Sequence, residues 1–205
     1  VNRLFRPTDA QAQLLVTGEV NTTDGFDRLV EARETAADSP RVYTLPNGRA
    51  DIQDPLSVMQ TVAQEDDDFN DTFRAADTDN DSIPERNVSL LYDELYEADS
   101  DAASQVVHRT PGGEYAAVRL VIGVRGDASY AQTTTAMRDI AATIEQKRED
   151  EVESEGENAT LTAIATGQSV VNRVIEQSLF ETLTRSFVVT LVAVFLVLTV
   201  GYRLA

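Results

Sequence analysis

In the stretch ADTDNDSIPERN, residues 76–87, Asp77, Asp79 and Asp81 recur at every second position. Carboxylates at that spacing supply the first three oxygen ligands of a calcium loop of the EF-hand kind, at loop positions 1, 3 and 5. Glu85 falls at position 9, from which it can reach a cation directly or through water. Position 6 is Ser82 rather than the glycine such a loop uses for its sharp turn, and position 12 is Val88, so the closing bidentate glutamate is missing. Two readings stand side by side. One is a seat for calcium or another hard cation; the other is a solvated turn broken at Pro84, with Asn87 capping the helix that follows.

No other group of residues has the types and spacing that chemistry needs. His108 is the only histidine, with no motif around it and no cysteine in the chain, so a surface or packing role is expected for it; without it, neither a Ser–His–Asp arrangement nor a His-based zinc site has another candidate. The run Glu65–Asp66–Asp67–Asp68 opens a helix, where negative charge favours the N-terminal dipole. No glycine-rich phosphate loop follows a strand, and carboxylates are too numerous for one acid–base pair to stand out. The expectation is no enzyme activity and no cofactor beyond a cation.

Acidic residues outnumber basic ones 35 to 17, for a formal charge of −18, and Lys147 is the only lysine. Self-repulsion of this size destabilises a compact state, unless strong salt removes it: at about 1 M the Debye length is only about 3 Å. The composition is that of a protein working in concentrated salt. A basic face for nucleic acid is absent from the pattern.

At the C-terminal end, SFVVTLVAVFLVLTVGY (186–202) carries no charge and lies between Arg185 and Arg203. Seventeen helical residues reach about 26 Å, close to a hydrocarbon core of about 30 Å, and Arg203 can snorkel. The expectation is a transmembrane span at about 186–204. Upstream, Val171, Val174, Ile175, Leu179 and Leu183 keep three- and four-residue steps, so one helix from about Gln168 runs into the bilayer. VNRLFRPTDA has neither an initiator Met nor a signal peptide. With the abrupt end, this points to a piece of a larger membrane protein. Five of the eight asparagines open N-x-[ST] sequons, Asn21, Asn70, Asn80, Asn87 and Asn158. They are glycosylation candidates and favour an exported domain.

The elements before the span follow from periodicity. Strands are expected at 12–20, 41–46, 114–126 and 159–167. The third is the clearest, with Val118, Leu120, Ile122 and Val124 on one face and Arg119 and Arg125 on the other. After the first strand, Phe26, Leu29, Val30 and Arg33 share a helical face, with Asp24 as cap. After the third, Asp127 caps a helix burying Met137, Ile140, Ala141 and Ile144. A helical insert occupies about 47–113, beginning with Asp54 as cap and Pro55 in the first turn, and a charged loop fills 148–158. The fold class expected is α+β: a ferredoxin-like split βαβ with a four-stranded antiparallel sheet, forming one domain over 1–167, followed by the long helix over 168–205.

The run ATGQSVV into NRVIEQSLFETLTRSFVVTLVAVFLVLTVGYR resembles the junction between porter domain and second transmembrane helix in RND-superfamily exporters, especially MMPL-like predicted exporters of halophilic archaea. DTDNDSIPERNVSLLYDELYEADSDAASQVV and GEYAAVRLVIGVRGDA resemble the same family. The corresponding family segment usually carries glycines where this chain has Asn80 and Ser82. The resemblance implies an extracytoplasmic porter domain that handles substrate, held at the cell membrane. Its partners would be the lipid bilayer, a second porter domain, the remaining proton-driven transmembrane helices and apolar or lipid-like cargo. The alternative is a membrane-anchored ectodomain for adhesion, sensing or ion binding, which transports nothing. Further apolar, charge-bearing spans after Ala205 would separate the two.

Overall fold

The computed structural model describes residues 10–146 and 160–166. Alternation builds the sheet. In β1 (Ala10–Gly18), Ala12, Leu14 and Val16 are fully buried while Gln11 and Leu15 face outward. These three lie opposite Ile122, Leu120 and Val118 of β4 (Tyr115–Val124), so both strands turn the same face to the core. β5 (Leu161–Thr166) pairs with the other edge of β1. β2 (Ile52–Gln53) and β3 (Val107–Arg109) both pair with β4, and every pairing is antiparallel. The path is β2-β4-β1-β5 with β3 beside it, a mixed α+β architecture of five strands.

Two helices cover the core face, α1 (Thr23–Asp38) and α6 (Tyr130–Glu145), packed against each other, with α6 also on β5 and β1. α1 buries Phe26 and Leu29 and half-buries Val30 and Arg33; α6 buries Met137, Ile140, Ala141 and Ile144. Between β2 and β3 come α2 (Pro55–Val62), α3 (Asp67–Ala76), α4 (Val88–Ala98) and α5 (Ser100–Val106). Their Leu56, Met59, Phe69, Leu91 and Leu95 join the sheet's side chains in one continuous core. Asp54 begins α2 with a reciprocal cap to Ser57 and is itself gripped by Arg33 of α1 at 2.7 and 2.8 Å. This 2 % exposed carboxylate therefore fastens the insert to the helical layer.

Several expectations need correction. The segment 41–46 is not a continuous strand. Val42 and Thr44 make only isolated bridges, because Pro46 and the Asn47–Gly48 turn fold the chain back, with the Leu45 N–H donating to Arg49 O at 2.7 Å. The ladder on β4 resumes at Ile52, and Gly123 joins the two arms by accepting from Tyr43 N–H and donating to Asp51 O, each at 2.8 Å. A side chain at Gly123 would meet Asp51 Oδ2 at 2.6 Å. The end of the expected helical insert is strand: β3 lies alongside β4 and makes the fifth strand. The caps also differ. Thr22, not Asp24, caps α1, while Asp24 pairs with the buried Arg28 at 2.7 Å. Ser129, not Asp127, caps α6, because Gln132 completes a capping box with it. The 148–158 loop, Asn158, the helix from Gln168 and the 186–204 span lie outside the described residues. Among those described, no helix is long and apolar enough to cross a membrane.

Candidate metal centre

Helix α3 starts on Asp66, whose side chain accepts the Phe69 N–H at 2.7 Å, so the acidic run acts as a cap. The helix ends where the Asp77 N–H donates to Phe73 O. The acidic loop that follows is closed at its base. Glu85 N–H donates to Ala76 O at 3.1 Å, and the Arg86 guanidinium donates to Ala75 O through Nε and Nη2, at 3.1 and 2.7 Å. Pro84 is buried and anchors the returning chain.

Inside that frame the carboxylates turn inward onto the loop's own donors. Asp77 Oδ2 accepts from Ser82 N–H at 2.9 Å, Asp79 Oδ1 from Asp81 N–H at 3.1 Å, and Asp81 Oδ1 from Ile83 N–H at 2.7 Å. Glu85 Oε2 accepts from both the amide and the hydroxyl of Thr78, at 2.6 and 2.7 Å. One oxygen from each of Asp77, Asp79, Asp81 and Glu85 lies within 4.8 Å of the others. Asp77 Oδ1 is shielded from solvent and has no hydrogen-bond partner.

The turn forms without glycine. Asn80 and Ser82, where the resembling family segment has glycines, hold φ of 64° and 69°. The left-handed region costs an ordinary L-residue roughly 1–2 kcal/mol, less for Asn. Val88 at position 12 is buried in α4, so Glu85 is the fourth carboxylate instead. Asn87 stands at the N-cap position of α4 but gives no side-chain cap and has φ of 59°.

The electrostatics follow from crowding. The Asp81 N–H pulls the Asp79 carboxyl down, but desolvation and the charges of Asp81, Glu85 and Asp77 together outweigh it and raise its pKa. Glu85 is lowered, first by the Thr78 hydroxyl and then by the Thr78 amide. All four donors are hard oxygens, the ligand type that Ca²⁺ and Mg²⁺ take.

The remaining sequence candidates do not come together. His108 is exposed on β3, away from any ligand set among the described residues. Of the sequon asparagines, Asn80 and Asn87 are exposed, Asn70 is half-buried, and Asn21 is half-buried with its amide 3.5 Å from Ser89 Oγ. Sequence reasoning missed a cluster on the insert: Arg109 lies 5.5 Å from the Tyr115 ring centre and 5.9 Å from that of Tyr96, and pairs with Asp93 at 3.2 Å. Asp93 also accepts the Tyr115 hydroxyl at 2.7 Å. Burial, then the bond to Asp93 and its charge, push the Tyr115 pKa up. The i, i+3 spacing of Asp93 and Tyr96 on α4 was the available signal. The cluster ties β3 and β4 to α4.

Comparison with curated proteins and with solved structures gives no match. The MMPL family model matches residues 30–204, taking in the second half of α1, the insert, the acidic loop and the apolar C-terminal stretch. The chain belongs to the MMPL family.

Proposed function

We propose that this chain is the extracytoplasmic porter domain of an RND/MMPL-type exporter, together with its following transmembrane helix. It handles substrate, while proton-coupled helices outside this chain supply the drive. The observation that carries the proposal is a single family match over residues 30–204, from the second half of α1 to the apolar stretch at 186–204. The strand order supports it: with β3 set aside, β2-β4-β1-β5 is the antiparallel order of a ferredoxin-like split βαβ, the fold the resemblance implies for porter subdomains. Uncharged residues fill 186–202, and a proton relay needs intramembrane charge, so the motor is assigned elsewhere and no catalytic step is assigned here. The helix from Gln168 would transmit movement between domain and membrane. A Gly-Gly insertion near Gln177 of the full-length exporter tests this: transport should be abolished with the domain still folded, and retained transport would refute the coupling.

A second proposal concerns the acidic loop. A hard divalent cation, calcium first, seats among Asp77, Asp79, Asp81 and Glu85. The observation favouring it over a bare solvated turn is the shielded, unpartnered Asp77 Oδ1, since a buried oxygen without a donor is costly. Calorimetric titration of the chain with calcium in strong salt should give saturable heat that Asp77→Asn removes. Heat no greater than dilution would eliminate the site.

A further inference from the structure

A cavity of about 560 Å³ opens beside the acidic loop, between the 43–51 turn, α2 and α3. Its wall is mainly polar, with Arg49, Arg74, Asp77, Asp81, Gln64 and Asn70 set beside the apolar Phe73. Three of its elements are latched together. Arg49 Nη2 donates to Gln60 Oε1 at 3.0 Å, and Gln60 Nε2 donates to Ser82 O at 2.9 Å. The walls are therefore held in place by bonds between the turn, α2 and the loop. Arg74 has no ion pair among the described residues, so its donors remain for a ligand.

The formal charge of the lining sums to zero, two arginines against two aspartates, in a chain of net charge −18. That balance selects the ligand class. With the loop free of a cation, an inorganic anion in the cavity would meet Asp77 and Asp81, and an organic diamine spanning it would meet Arg49 and Arg74. A neutral ligand carrying adjacent hydroxyl groups meets neither penalty. Each hydroxyl both donates and accepts, so neighbouring hydroxyls match the forked geometry of guanidinium, carboxylate and amide groups. Such contacts are direct hydrogen bonds and do not depend on long-range Coulomb attraction, which strong salt removes. We propose that this cavity binds a neutral polyhydroxylated ligand, a sugar or sugar-like polyol. The proposal does not rest on transport, and it applies to the cation-free loop, because Asp77 and Asp81 belong both to this lining and to the acidic cluster.

The test uses the full chain, titrated by calorimetry with maltose, inorganic phosphate and putrescine in turn. A chelator is present throughout, so the outcome is independent of the loop's cation. Maltose should bind saturably, and Gln64→Ala combined with Arg74→Ala should weaken it at least about tenfold through lost hydrogen bonds to a charged and a neutral donor. Both positions are exposed, so the variant should keep the parent's circular dichroism. The proposal is overturned if maltose shows no saturation up to roughly 100 mM, a concentration that fills even a site of millimolar affinity. It is equally overturned if the folded double variant binds maltose unchanged, or if phosphate or putrescine binds as tightly as the sugar.

Discussion

Strand β4 and the acidic loop are held together by opposite means. In β4, Val118, Leu120, Ile122 and Val124 are at most 1 % exposed, and apolar burial does the work at about 25 cal/mol per Å². In the loop, Asp79 and Asp81 are exposed, and shape comes from carboxylates turned onto backbone amides around two non-glycine residues at positive φ. A region built by burial is rigid because any change leaves a void. One built by local polar contacts keeps carboxylates gathered that water alone would let separate. The first is suited to a scaffold and the second to a ligand-responsive element.

The contrast breaks most sharply at the scaffold. Leu120→Ala empties a fully buried central site and should cost about 3 kcal/mol, read as a lowered denaturant midpoint at unchanged m-value. Asp54→Ala, at the join of insert and helical layer, removes both the partner of Arg33 and the α2 cap. It should cost about 2 kcal/mol, less than a fully buried pair because Arg33 is partly exposed.

How far each region was legible follows from the same difference. The faces of β1, β4, α1 and α6 could be read because burial imposes a period on side-chain type. Asp77, Asp79 and Asp81 were legible from spacing, and Glu85 from its place in the loop count. The Arg86 and Gln60 latches were not, because a side chain donating to a distant backbone carbonyl leaves no periodic trace. The split second strand was misread because the Tyr43 and Asp51 contacts to Gly123 are made by backbone atoms, which carry no sequence signal. Thr22 and Ser129 displaced Asp24 and Asp127 as caps because a two-residue shift in helix start changes little in the apolar pattern.

Smaller effects sharpen the comparison at the loop. Asp79 titrates above its ordinary 3.8, so its folded-state contribution is present at low pH and lost as pH rises through its folded pKa. Glu85 titrates below its ordinary 4.5, so its contribution is present above that value and lost as pH falls through its folded pKa. The two oppose each other. Global stability should therefore respond weakly to this loop under mild acid, whereas calcium affinity should fall as pH is lowered, with Asp79 taking up its proton at a higher pH than an isolated Asp. Titrations at a series of pH values would check both. Ser82→Gly should relieve left-handed strain against a gain in unfolded-state entropy, stabilising by about 0.5 kcal/mol in thermal unfolding.

The central claim is that this domain faces the outside of a membrane, and the absence of cysteine makes that directly measurable. Glu97, exposed on α4, is replaced by cysteine in the full-length protein, any cysteines outside these 205 residues being replaced first, with buried Ala103→Cys as the folding control. Intact cells are then treated with a membrane-impermeant maleimide. Modification of Glu97→Cys in unbroken cells, with Ala103→Cys protected until denaturation, is the predicted result. Modification of Glu97→Cys only after lysis would put the domain on the cytoplasmic side and contradict the claim.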